Sequence, residues 1–217
     1  MKVTNLEYQK KDPNRVSLYI DDEFFAGISL NTLTSEALYE GMEVNVTMLD
    51  RLLLADLKER FLTRATNYIL RSPKTEFQMF RYLKNLSYKK KGVWFRDDLN
   101  LDWDTFFAEV IGKLKGYKYI DDENFSRMFV QSRMKNKPRG KRVLIGELIS
   151  KGVNKDIAQR ICDEEIEDEY ELLRDTFVKK YKNEEFDIKN QKMVNFLLRK
   201  GFRWDLIRKF SNNEPKE

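Results

Sequence analysis

With 217 residues the chain is long enough for one or two compact domains with a full hydrophobic core, and it needs no covalent staples. Nine glycines and four prolines are too few for the closely spaced turns of a sandwich or barrel, so the bulk should be helical. Lysine and arginine number 41 against 36 acids, and a net charge of +5 on so dense a mixture excludes a uniformly basic coat.

The first fifty residues read as strands. Val16, Leu18 and Ile20 alternate with Ser17 and Tyr19 in the period-2 pattern of a half-buried strand, and residues 3–9 supply a preceding one. Between them residues 10–15, Lys-Lys-Asp-Pro-Asn-Arg, have the composition of a turn. A second turn at Asp21-Asp22-Glu23 leads to a third strand over residues 24–28. Residues 31–39 are expected to form a short helix closed by Gly41, with Val44 and Val46 in one more strand. Residues 1–48 are thus a small β-rich N-terminal domain.

From about Met48 the apolar spacing becomes helical. Leu52, Leu53, Asp56, Phe61, Ala65, Tyr68 and Ile69 share one side of a long helix. Ser72 before Pro73 reads as the N-cap of the next helix, which carries Phe77, Met79, Phe80 and Leu83. Asp102, Asp121, Asn154 and Asp187 are further caps in front of apolar-periodic runs.

Within this helical region the chain repeats itself. Residues 143–153, ending Lys151-Gly152-Val153, align with residues 192–202, ending Lys200-Gly201-Phe202. Ile157, Ala158 and Ile161 then match Leu206, Ile207 and Phe210, while Phe125, Met128 and Phe129 open one unit and Tyr170, Leu173 and Phe177 the next. A looser first copy fits residues 52–115, with an insertion over residues 88–101 that contains Lys89-Lys90-Lys91-Gly92 and Trp94-Phe95. The predicted fold is mainly α: tandem three-helix repeats over residues 49–117, 118–165 and 166–217. Because one unit cannot bury its apolar face alone, neighbours stack, and an elongated, curved body is expected.

Little in the chain suggests catalysis. The absence of histidine removes His-based acid–base chemistry, His-paired nucleophiles and His-ligated metals. Cys162, the single cysteine, sits in an apolar helical pattern and reads as a core thiol in a reducing compartment. No apolar run approaches a membrane span, and residues 1–30 lack a secretory pattern, so a cytoplasmic protein without cofactors is expected. The pairs Asp21-Asp22, Asp97-Asp98 and Asp121-Asp122 invite a metal-dependent nuclease reading, but each falls at a turn or helix start where aspartate caps the backbone.

Arg133, Lys135, Lys137, Arg139, Lys141 and Arg142 place six positive charges in ten residues, with no acid among them. On spacing alone such a run is a solvated face; on the connection between two helices it also suits phosphates or an acidic protein surface. Residues 163–171 hold seven acids and read as a solvated helix face. Trp103, Phe106, Phe107 and Tyr117 are expected to cluster as core rather than as a base-stacking platform.

The pattern Tyr119-Ile120-Asp121-Asp122-x-x-Phe125-Ser126-x-x-Phe129-Val130-x-x-Arg133, followed by Gly140, Ile145, Glu147-Leu148 and Lys151-Gly152-Val153, resembles the central repeat of the RecX family of recombination regulators. Arg64-Ala65-x-x-Tyr68-x-x-Arg71-Ser72 to Leu83 is similar to that family's first repeat, and Tyr19-Ile20-Asp21-Asp22-Glu23-Phe24 with residues 38–41 to its N-terminal extension. Ser126 departs from the family's usual alanine, and the insertion replaces a short link. The resemblance implies a monomeric, non-enzymatic protein that binds the RecA filament and DNA, single-stranded or double-stranded. It would modulate, usually downward, RecA ATPase, strand exchange and coprotease activity. Arg127, Arg133, Lys135, Lys137, Arg139, Lys141 and Arg142 are the contact residues expected on this reading. A helical DNA-binding module acting without RecA is the alternative.

Overall fold

The computed structural model describes residues 1–96, 100–182 and 184–213. It divides into two compact units: Met1–Ser72 with Phe80–Tyr119, and Pro73–Met79 with the residues from Ile120 on.

The first unit begins with an antiparallel meander of β1 (Val3–Gln9), β2 (Asp12–Ile20) and β3 (Glu23–Ser29). Val16, Leu18 and Ile20 point to the core with Val3 and Ile28, as the alternation requires. Ile20 pairs with Glu23 across a two-residue turn in which Asp21 and Asp22 both have positive φ, 49° and 68°, the geometry that suits the twist of a tight hairpin. The first turn is shorter than composition suggested. Only Lys10 and Lys11 turn, and residues 12–15 belong to β2, where an irregularity between Tyr8 and Gln9 leaves room for Pro13.

The helix expected over residues 31–39 is only α1 (Leu30–Ser35), capped by Ser29 and ended by Ala37 at φ 49°. Val44 and Val46 form no fourth strand. The backbone of residues 41–44 bonds to Met1 and Val3, leaving one bridge at Glu43, and Val46 opens α2 (Val46–Ile69) behind the Asn45 cap. Asp56, on the buried side of α2, accepts from the Ser29 N–H at 2.7 Å, from Arg15 at 3.1 Å and from Arg60 at 2.7 Å. Leu53, predicted on that side, is exposed.

The next helix, α3 (Glu76–Lys90), starts three residues later than the serine suggested. Thr75 is its cap: Thr75 Oγ1 accepts from the Gln78 N–H, and the Gln78 side chain accepts from the Thr75 N–H, each at 3.2 Å. The predicted insertion therefore begins inside α3 and ends at Asp102, the cap of α4 (Trp103–Gly116). Phe61 packs edge-on against Trp94 and Phe106 at 5.5 and 5.2 Å, with Trp103 and Phe107 completing the aromatic core. Tyr117 lies outside it, exposed beside Tyr119.

The second unit holds two three-helix repeats. One is α5 (Asp122–Asn136), α6 (Lys141–Ser150) and α7 (Lys155–Glu165); the other is α8 (Glu169–Tyr181), α9 (Gln191–Lys200) and α10 (Trp204–Asn213). Asp121 and Asn154 cap as predicted. Asn190, rather than Asp187, caps α9, and Asp187 instead closes the preceding turn through the Lys189 N–H. Val130, Leu144, Leu148, Ala158, Ile161 and Cys162 form one core; Leu173, Phe177, Met193, Val194, Leu197, Ile207 and Phe210 form the other, and Leu172 packs against both. Met128, one of the residues that open the repeat of α5 to α7, is exposed. Cys162 is buried, and that burial pushes its thiol up to about 11.

Gly152 and Gly201 end α6 and α9 with φ of 89° and 95°. In each, the following residue bonds back over the glycine, Val153 N–H to the Leu148 carbonyl and Phe202 N–H to that of Leu197.

Candidate interaction surface

The basic run lies where α5 gives way to α6. The Lys137 N–H still bonds to the Arg133 carbonyl, Pro138 blocks continuation, and Gly140 begins α6 without any side-chain cap. The missing cap is supplied from elsewhere: Glu169, the first residue of α8, accepts the Lys141 N–H at 2.8 Å. The same device recurs one repeat earlier, where Asp122, the first residue of α5, accepts the Glu76 N–H at 2.9 Å. A carboxylate opening the first helix of one repeat thus caps the second helix of the preceding repeat, with help from the helix dipole.

A second bond accompanies each. Thr75 Oγ1 donates to the Lys151 carbonyl at 2.6 Å, and the Gly140 N–H donates to that of Lys200 at 2.9 Å. The fit is close. A Cβ on Gly140 would stand 2.6 Å from the Gly201 oxygen, and one on Gly201 would run into Val143.

These junctions determine where the seven predicted contact residues go, and they separate them. Arg127 binds Glu164 and, at 3.0 Å, Glu165; Lys141 binds Asp163 at 3.0 Å. Arg133 and Arg139 converge on Glu147 at 2.9 and 3.3 Å, and Arg133 also lies 4.9 Å from the Phe129 ring centre. The Arg139 Nε is buried and does not align for a hydrogen bond. Lys135, Lys137 and Arg142 are exposed, and none makes an ion pair within 4 Å among the described residues.

The acidic run stays at the surface, with Asp163, Glu164, Glu167 and Asp168 exposed, but several of its carboxylates are also engaged. Asp163, Glu164, Glu165 and Glu169 are spent on Lys141, Arg127, Arg160 and the α6 backbone. Hydrogen bonds donated to Glu164 and Glu165 raise the Arg127 pKa, and those received from Arg160 and Arg127 hold Glu164 below the usual carboxylate range. Asp163 is lowered by Gln159 and Lys141 in the same way.

The aspartate pairs are likewise engaged with backbone. Asp21 accepts the Lys2 N–H at 2.8 Å, and Asp121 caps α5 at the Asn124 N–H. Asp97-Asp98 lies outside the described residues. Among those described, no three potential ligands gather at one point, and no helix is long and apolar enough to cross a membrane.

Reading the run alone missed four lysines that the fold brings near it: Lys74, Lys151, Lys179 and Lys200. For Lys151 and Lys200 the signal in the sequence is the repeated Lys-Gly ending. Lys151 lies 5.3 Å from the Phe129 ring centre and Lys200 5.5 Å from that of Phe196. Lys74 is lowered by burial and by Lys151, and Lys200 by burial and then by Arg139 and Lys179.

A three-stranded sheet followed by helical triplets, the last two joined by reciprocal caps, defines a tandem three-helix repeat protein. Comparison with known proteins narrows this class. Residues 1–45 match the N-terminal domain of the regulatory protein RecX, residues 121–160 its second three-helix domain and residues 167–210 its third. The chain is 30% identical to the regulatory protein RecX of Clostridium tetani over 97% of its own length and 93% of that protein. It is 24% identical to that of Listeria monocytogenes serovar 1/2a over its whole length and 77% of the relative. A crystal structure of regulatory protein RecX superposes with a TM-score of 0.74 at 20% identity, covering 98% of this chain and 99% of that one. RecX from Lactobacillus salivarius gives 0.54 at 24%, covering 73% and 96%. The chain belongs to the RecX family of regulatory proteins.

Proposed function

We propose that this protein is a non-catalytic regulator that binds RecA nucleoprotein filaments and lowers their ATPase, strand-exchange and coprotease activity. The observation that supports this reading most is the chain-long relationship to RecX of Clostridium tetani. The surface agrees with it. Lys135 in the last turn of α5, Lys137 just after it and Arg142 in the first turn of α6 are exposed with no carboxylate of their own, whereas Arg127, Arg133, Arg139 and Lys141 are each paired with an acid. The same reading treats residues 1–48, 49–117, 118–165 and 166–217 as four modules of one cytoplasmic, monomeric protein.

The test is inhibition of RecA ATPase on single-stranded DNA by wild type and by the Lys135→Glu, Lys137→Glu, Arg142→Glu variant. Exposed charges contribute little to folding, so the variant should melt as wild type does. Inhibition should weaken at least about tenfold, because three phosphate or carboxylate contacts become repulsive. Binding to DNA alone, with no effect on RecA at any concentration, would instead establish the independent DNA-binding module.

A further inference from the structure

Lys151 and Lys200 occupy the same place in successive repeats, the residue before the left-handed glycine. Their backbones are pinned alike, each carbonyl bonded to the residue that caps the preceding repeat's second helix, Thr75 or Gly140. Their side chains behave alike as well. Each ammonium lies over an aromatic ring, Phe129 or Phe196, and each has other cations nearby. Arg133 shares the Phe129 ring with Lys151, while Arg139 and Lys179 crowd Lys200.

A helix C-terminus attracts one cation through its dipole, and only weakly at an exposed site. That explains a single lysine per helix end. It does not explain why two or three cations gather at each, where every like-charged neighbour opposes the others. Elsewhere in this unit crowding is relieved by pairing: Arg127, Lys141 and Arg160 each hold a carboxylate. At the lysine ends the carboxylate supplied among the described ion pairs is Glu147, and two arginines already converge on it.

We infer that Lys151 and Lys200 form a track for the phosphodiester backbone of nucleic acid, crossing successive repeats at their Lys-Gly helix ends. An anion carrying one charge per residue at regular spacing suits cations placed at a repeating position. Arginine forks match carboxylates, whereas compact ammonium groups on flexible stems serve phosphates as point charges. The track rests on the proposed function only in taking nucleic acid as a ligand, and it uses different residues.

The experiment measures binding of full-length protein to a labelled single-stranded oligonucleotide and to a duplex of equal length, by fluorescence anisotropy at several salt concentrations. The Lys151→Gln, Lys200→Gln variant is compared with a Lys189→Gln, Lys192→Gln variant, which removes the same charge from exposed positions off the track. Loss of two single-strand contacts should weaken binding roughly tenfold to thirtyfold at 0.1 M salt and flatten the salt slope by about 1.4, or about 1.8 on duplex. The control should stay within about twofold. Equal weakening of both variants, or of neither, overturns the track. Unchanged oligonucleotide binding together with lost RecA inhibition would assign these lysines to an acidic protein surface, and that also overturns it. RecA ATPase inhibition by wild type separates the two proposals. If wild type does not inhibit RecA while the track variant alone loses oligonucleotide binding, the proposed function falls and the track stands.

Discussion

The two units treat charge in opposite ways. In the first, Asp56 is 3% exposed and accepts bonds from two arginines and a backbone N–H, and the Gly27 carbonyl also accepts from Arg15 and Arg60. In the second, the carboxylates stay at the surface and act as caps and clasps, with Glu164 and Arg127 both well exposed. The same residue types thus do structural work of very different size, because the interior magnifies an unpaired charge and water screens it.

The sharpest way to break this contrast is Asp56→Ala. It leaves two half-buried guanidinium groups and the Ser29 N–H without their acceptor, and removal of one partner from a buried ion network costs about 3 to 5 kcal/mol. The urea midpoint should fall accordingly. A change below about 1 kcal/mol would mean that Asp56 behaves like a surface carboxylate.

Next in size is the glycine contact at the junction. Gly140 has φ −66°, open to any residue, so Gly140→Ala tests close approach alone, whereas Gly201→Val adds a left-handed conformation. Overpacking against backbone costs about 1 to 3 kcal/mol, and the left-handed conformation a further 1 to 2, roughly. Thermal melting should therefore rank wild type above Gly140→Ala and Gly140→Ala above Gly201→Val. An unshifted Gly140→Ala would remove the junction from the list of features holding the repeats together.

Cys162 gives a pH-dependent test of burial in the second unit. Its folded pKa, about 11, lies above the ordinary 9.0. Below pH 9 both states keep the proton and its stabilisation is complete. Between 9 and 11 the unfolded chain releases the proton first, so stability is lost as pH rises through that window. Wild type should lose more stability than Cys162→Ala from pH 8.5 to 10.5, and the native thiol should resist a thiol reagent at pH 8 that labels the urea-unfolded chain.

The smallest effect is expected at the surface clasp. Arg127→Ala should barely shift the denaturation midpoint, because exposed ion pairs are screened and hold long side chains in place at an entropic cost. Denaturation in low and high salt checks it, and the difference from wild type should shrink as salt is added.

How much of this was legible follows the range of the interactions. The Asp121 and Asn154 caps, the strand alternation of residues 16–20 and both left-handed glycines were readable because each depends on neighbours within a few positions. Ser72 misled because two residues in the same stretch can cap, and the Gln78 side chain, which completes the reciprocal pair with Thr75, decided between them. Asp187 misled in the same way, its side chain closing a turn instead.

The candidate surface was half legible. The basic run and its place on a helix connection were visible in the amino-acid order, as were the acidic run and the repeat. Which cations are spoken for was not, since Arg127 meets its partners 37 and 38 positions away and Lys141 meets Asp163 22 away. By itself, then, the sequence determined helix content, repeat period, the left-handed stops and the family, all carried by local geometry and residue spacing. The tertiary structure alone decided that Glu169 and Asp122 serve as caps for other helices, that the acids neutralise four predicted contacts, and that the Lys-Gly lysines lie over aromatic rings. Those outcomes depend on which surfaces the packed cores bring within a few ångströms, and no periodicity along the chain encodes that.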